Sequence, residues 1–169
     1  MRLTVPYFEQ KNAYSCGPAV LKMVLAYFGI QAEQDALAHL VTTSPQLGTP
    51  QERMARVARE YGFGYLIKQG ATLEDISLYL HEKLPVIVNF IEPDGNEGHY
   101  GLVVGKHGGN LFIHDPWNGP NFKMNADDFL RRWRSEHGGR WRSILELVRT
   151  HFSEKIPPRK FGKAAEPHR

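Results

Sequence analysis

The chain has 169 residues, of which 41% are hydrophobic, 23% charged and 11% aromatic, with a formal net charge of +3. That length and composition suit one soluble globular domain with a sizeable core. The basic residues are scattered without a recognition motif, so nucleic acid is not an expected partner, and a single cysteine excludes an intrachain disulfide and a CxxC-type zinc site.

Along the chain, Val20, Leu21, Val24, Leu25 and Phe28 recur at helical spacing and predict a helix from about Cys16 to Phe28. Gly17-Pro18 opens it and Gly29 is placed to stop it. Further helices are predicted over Gln34 to Val41, Thr49 or Pro50 to Tyr61 (closed by Gly62), and Leu73 to Glu82 with Thr72 as N-cap. The β-branched run Pro85 to Ile91 then reads as a buried strand, and Glu92 to Gly98 as a turn-forming loop. His99 to Gly105 predicts a strand, joined through a Gly108-Gly109 hairpin turn to another over Asn110 to His114. A short helix at Asp127 to Arg134 and a last strand or helix at Trp141 to Val148 complete the domain. The order, helices first and an antiparallel sheet after, predicts an α+β fold. Residues 1–153 are read as one domain and residues 154–169 as a basic, proline-containing, flexible tail.

The N-terminus lacks the apolar core of a secretory signal, and the longest apolar run, Val86 to Ile91, is broken by Asn89. The expectation is a cytoplasmic protein with no membrane segment.

Cys16 carries the first chemical interest. It stands at a predicted helix start, where free N–H groups and the positive end of the dipole favour an anion. The plain alternative is an inert core cysteine. A thiol nucleophile needs an imidazole in reach and a third group to hold that ring. Among eight histidines, His99 follows a glycine-rich loop and begins an apolar strand, and the hairpin could bring Asp115 beside it. Taken singly, Asp115 reads better as the start of an Asp-Pro turn. Gln10, six residues before Cys16, is either a surface glutamine or an amide that joins the Cys16 N–H in holding an oxyanion.

The constellation is more specific than its members. The segment Gln10-Lys-Asn-Ala-Tyr-Ser-Cys-Gly-Pro through Gly29 resembles the N-terminal motif of the C39 peptidase family, which has a glutamine six residues before the cysteine. Leu84-Pro85-Val86-Ile87-Val88 followed by Gly98-His99-Tyr100 resembles its histidine motif, and His114-Asp115-Pro116-Trp117 its aspartate motif. The resemblance runs from about Val5 to Asn118 with every piece in order. It implies a papain-like fold, N-terminal helices on an antiparallel sheet, and a cysteine peptidase with no cofactor. In that reading Cys16 is the nucleophile, His99 the base and acid, Asp115 its orienting partner and Gln10 an oxyanion-hole residue. One departure is Ser15, where the family often has aspartate.

The implied partner is a peptide or protein substrate. Family members fused to export transporters cut leader peptides after Gly-Gly, but no transporter is attached to this chain, so that specificity is not carried over. Two alternatives stand beside hydrolysis: acyl transfer through the same Cys16 thioester, and a dormant peptide-binding module, which the complete set of residues argues against. A metal cluster of His99, His107 and His114 is disfavoured by their placement on alternating strands. Tyr100 and Trp117 either wall the cleft or pack in the core. The stretch Arg131, Arg132, Trp133, Arg134, Arg140, Trp141 and Arg142 reads as a solvated basic face with buried tryptophans.

Overall fold

A computed structural model describes residues 1–134 and 142–149. In chain order its elements are α1 (Cys16–Tyr27), α2 (Gln34–Leu40), α3 (Gln51–Glu60), β1 (Phe63–Lys68), α4 (Leu73–His81), β2 (Val86–Ile91), β3 (Gly98–His107), β4 (Asn110–Asp115), β5 (Gly119–Asn125), α5 (Ala126–Arg132) and β6 (Ile144–Arg149). The strands form one sheet of order β1-β6-β2-β3-β4-β5, every pair antiparallel.

Helix α1 is apolar on nearly every side and is correspondingly buried, from Cys16 through Leu25 with only Lys22 partly exposed. It packs against α2, α3 and β3. Its end is a Schellman motif: Gly29 takes φ +81°, its N–H reaches Ala26 O at 2.9 Å, and Ile30 N–H reaches Leu25 O at 2.9 Å. At the other end Gly17 is required by space, since a Cβ there would lie 2.5 Å from the side chain of Thr49. The start of α1 is therefore seated directly on the segment that leads into α3.

Helix α4 has the expected cap. Thr72 Oγ1 accepts from Asp75 N–H at 3.2 Å, and the Asp75 carboxylate accepts from Thr72 N–H at 2.8 Å. Strands β2 and β3 pair with Phe90 opposite His99 and Val88 opposite Gly101. A Cβ on Gly101 would lie 2.9 Å from the Phe90 ring, so the glycine gives that ring the room in which it packs edge-on against His99, centroids 5.6 Å apart.

Two strands are absent from the sequence reading. β5 (GPNFKMN) is polar and holds Gly, Pro and Asn, the vocabulary of a loop. It is an edge strand held by backbone pairing to β4, so it needs no apolar alternation. β1 is the opposite edge, with Tyr65 and Leu66 exposed. The segment expected as a last strand or helix is a strand, and it enters the sheet between β1 and β2 rather than at an edge. Trp133 is fully buried and donates its indole N–H to Ser143 O at 3.2 Å. Arg140, Trp141, the domain end at 153 and the segment 154–169 lie outside the described residues.

Candidate active site

Cys16 is the first residue of α1 and is buried. The preceding residue, Ser15, does not cap the helix. Its hydroxyl turns back instead, accepting from the N–H groups of Lys11 and Asn12, both at 3.1 Å. The helix start is thus left without a side-chain acceptor, with backbone donors available to an anion at Cys16. Ser15 also accounts for the departure noted in the sequence: a hydroxyl supplies the turn with its acceptor without adding a negative charge beside the thiol.

His99 lies near the start of β3, buried, and Asp115 ends β4, fully buried. The hairpin brings them together, His99 Nε2 to Asp115 Oδ1 at 2.7 Å. With Nε2 committed to the carboxylate, Nδ1 is the ring nitrogen left to face Cys16, whose thiol acts on the imidazole from close range. Burial pulls the imidazole pKa down, but the bonds to Asp115 and Cys16 and the charges of both outweigh it and push it up to about 10. Burial likewise acts to raise the Asp115 pKa, and the bonds from His99 and Asn118 bring it below the usual carboxylate value. The pair is therefore carboxylate and imidazolium at neutral pH.

Asp115 makes the contacts of both readings considered for it. Its Oδ1 also accepts from the N–H groups of Trp117 at 2.9 Å and Asn118 at 3.0 Å, which is the turn expected of an Asp-Pro sequence. The same carboxylate holds His99. Tyr7 donates its phenol hydrogen to the Asp115 backbone carbonyl at 2.9 Å. Burial first, then the charges of Glu9 and Asp115, push the Tyr7 pKa up to about 12.

Gln10 is buried in the loop before α1, and its backbone N–H donates to Pro116 O at 3.0 Å, next to Asp115. Its Nε2 donates to Asn12 O at 2.7 Å, while its buried Oε1 has no partner among the described residues. The loop is pinned from α2 by Gln34, which donates to Glu9 O at 2.9 Å and accepts from Lys11 N–H at 3.1 Å. His99 thus stands between Cys16 and Asp115, and Gln10 is tied to the same turn through Pro116.

Of the aromatic pair beside these residues, Tyr100 is buried and Trp117 is 58% exposed. His114 points away from the site and bonds to Val5 O. Among the described residues no group of three or more histidine, cysteine, aspartate or glutamate side chains could hold a metal ion. The supports that sequence reading missed are Tyr7, Gln34, Glu92 and Asn118, and Ser15 was noted there only as a departure from the family motif. None carries a local signal, because each acts on residues distant in sequence or on the backbone.

Residues 2–140 match the Peptidase_C39 like family. The chain belongs to that family. The C39-like fold is that of a double glycine motif protease from an AMS/PCAT transporter in complex with the leader peptide, at TM-score 0.68 and 24% identity, covering 88% of this chain and 94% of that one. It is also that of the peptidase domain of Streptococcus ComA, a bifunctional ABC transporter involved in quorum sensing, at TM-score 0.68 and 25% identity, covering 85% of this chain and 97% of that one. The mesentericin-Y105 transport/processing ATP-binding protein MesD of Leuconostoc mesenteroides is 28% identical over 131 residues, 76% of this chain. The C39-like chain spans only 18% of the length of that relative. Among its described residues no helix is long and apolar enough to cross a membrane.

Proposed function

We propose that this C39-like domain is a cysteine peptidase that hydrolyses a peptide bond through Cys16, His99 and Asp115. The observation that carries the reading is the buried 2.7 Å bond from His99 to Asp115, with the thiol of a helix-start cysteine on the other side of the same ring. The Cys16 sulfur, as thiolate, adds to the substrate carbonyl carbon. The oxygen that becomes negative lies at the start of α1, where the Cys16 N–H and the Gln10 side-chain amide are its donors; one such donor is worth about 100- to 1000-fold in rate. His99 then gives its Nδ1 proton to the leaving amine, the C–N bond breaks and a thioester remains. Water, deprotonated by the now neutral His99, adds to the thioester, and collapse releases the carboxylic acid and returns the thiolate–imidazolium pair.

The substrate is a peptide or protein. One structural relative holds a leader peptide, which makes leader peptides with a Gly-Gly pair the first candidates for this chain. Incubation with such peptides, read by mass spectrometry, is expected to give a single cut after a small-residue pair. Cys16→Ala and His99→Ala should each lower the rate by about 1000-fold or more. No cleavage of any Gly-Gly peptide would remove that specificity, and equal turnover by Cys16→Ala would overturn the peptidase assignment itself.

A further inference from the structure

Behind Asp115 lies a second buried carboxylate to which the proposed chemistry assigns no role. Glu92 follows β2 and is buried. Its Oε1 accepts from Asn118 Nδ2 at 3.1 Å, and that same amide nitrogen donates to Asp115 Oδ2 at 3.0 Å. Asp115 Oδ1 is already occupied by His99, Trp117 and Asn118 N–H groups. The Asn118 side chain is thus what holds the second carboxylate oxygen and, with it, the rotation of the carboxylate plane.

Glu92 reaches the other arm of the site as well. Its Oε2 accepts a short bond from Gly95 N–H. Its backbone N–H donates to Glu97 O at 2.8 Å, and its carbonyl accepts from Asn96 N–H at 3.1 Å. These bonds close the loop that delivers Gly98 and His99 into β3. One residue therefore braces both the loop bearing the imidazole and the amide that orients its carboxylate. Burial acts to raise the Glu92 pKa, yet the bonds from Gly95, Asn118 and Asp94 and the nearby His99 charge bring it below the usual value. Glu92 is accordingly ionised, and a buried ionised carboxylate is retained against a desolvation cost that packing alone does not require.

We propose that Glu92 and Asn118 are positioning residues, a relay that locks the Asp115 carboxylate toward His99 and couples it to the His99 loop. The proposal rests on the Cys16–His99–Asp115 reading. With the relay intact the imidazole is held in one orientation; without it the carboxylate turns and the imidazolium loses its aligned partner.

The test is alkylation of Cys16 by iodoacetamide across pH 5 to 9, followed by mass spectrometry, a signal without background in a chain with one cysteine. Asn118→Ala is expected to remain folded by circular dichroism and to slow alkylation at pH 6 by about 10-fold, in the range found when an orienting partner of a functional side chain is removed. Glu92→Gln, which keeps the shape and loses the charge, is expected to show a smaller loss in the same direction. Variants that lower the melting temperature but react at the wild-type rate with the wild-type pH profile would overturn the relay. If Asn118→Ala does not fold, Glu92→Gln decides alone. Wild-type protein unreactive at pH 5 to 6 would instead overturn the triad reading, and the relay with it.

Discussion

His114 fastens the N-terminal segment to the sheet by donating its Nε2 hydrogen to the carbonyl of Val5 at 2.9 Å. Its other ring nitrogen faces the N–H of Asn121 at 3.2 Å and must accept. The ring is therefore held neutral: a proton on Nδ1 would set two N–H donors against each other. Burial is the main cause of its lowered pKa, opposed by the Val5 bond and assisted by the Arg2 charge. Tyr7, which holds the Asp115 carbonyl, stacks edge-on against the same ring at 5.7 Å.

A pH-dependent contribution to stability follows. The unfolded histidine takes up a proton near pH 6.5 and the folded one only at lower pH, so the unfolded state gains as pH falls below about 6.5. His114→Gln, which can also donate and accept, should cost stability at pH 8 by about 1 kcal/mol. The gap between wild type and variant should shrink between pH 6.5 and 5, as read by urea unfolding. A gap that is constant with pH would contradict the neutral, pinned imidazole.

Glu146 gives a dependence of opposite sign. It is buried in β6, where Oε1 accepts from Leu147 N–H at 3.1 Å and Oε2 has no partner among the described residues. Burial pushes its pKa up to about 9, only partly opposed by the Leu147 bond. The folded state keeps the carboxyl protonated where the unfolded state has lost the proton. Its contribution is therefore whole below about pH 4.5 and is lost progressively as pH rises toward 9. Glu146→Gln should leave stability nearly unchanged at pH 4.5 and raise it by about 1 kcal/mol or more at pH 8. Equal effects at both pH values would show that this carboxyl is ionised in the fold.

The third expectation concerns the acid form of His99. With Asp115 and Cys16 as partners, the imidazolium persists until pH nears about 10, so the alkaline limb of the rate should lie far above the ordinary histidine range. Asp115→Asn keeps an acceptor for Nε2 but removes the charge. The alkaline limb should then move down by about 1 unit or more. Activity should fall more at pH 9 than at pH 6, and a uniform loss would mean that Asp115 orients the ring without stabilising its charge.

Much of the architecture was legible because its causes are local. Helix α1 showed itself through apolar spacing and Gly29, and α4 through Thr72 as its N-cap. The β3–β4 hairpin showed through paired glycines at positive φ, Gly108 at +56° and Gly109 at +74°. β1 and β5 escaped because an edge strand is held by backbone bonds, which are blind to side-chain pattern. β6 was visible as a segment but not as the strand between β1 and β2. Its pairing with β1 joins residues as far apart as Phe63 and Arg149.

By itself, then, the sequence determined the helix start that presents Cys16, the strand that begins at His99, the turn at Asp115 and the family whose motifs they match. Residue types and their spacing carry that information, because capping, periodicity and turn chemistry act over a few neighbouring positions. Only the tertiary structure decided that one carboxylate serves both the turn and the imidazole. It also decided that Ser15 and Gln34 fasten the Gln10 loop, that Tyr7 and Asn118 fasten Asp115, and that Glu92 joins the two arms. These contacts unite residues from separate elements, and a hydrogen bond depends on distance and direction in space, which chain position does not encode.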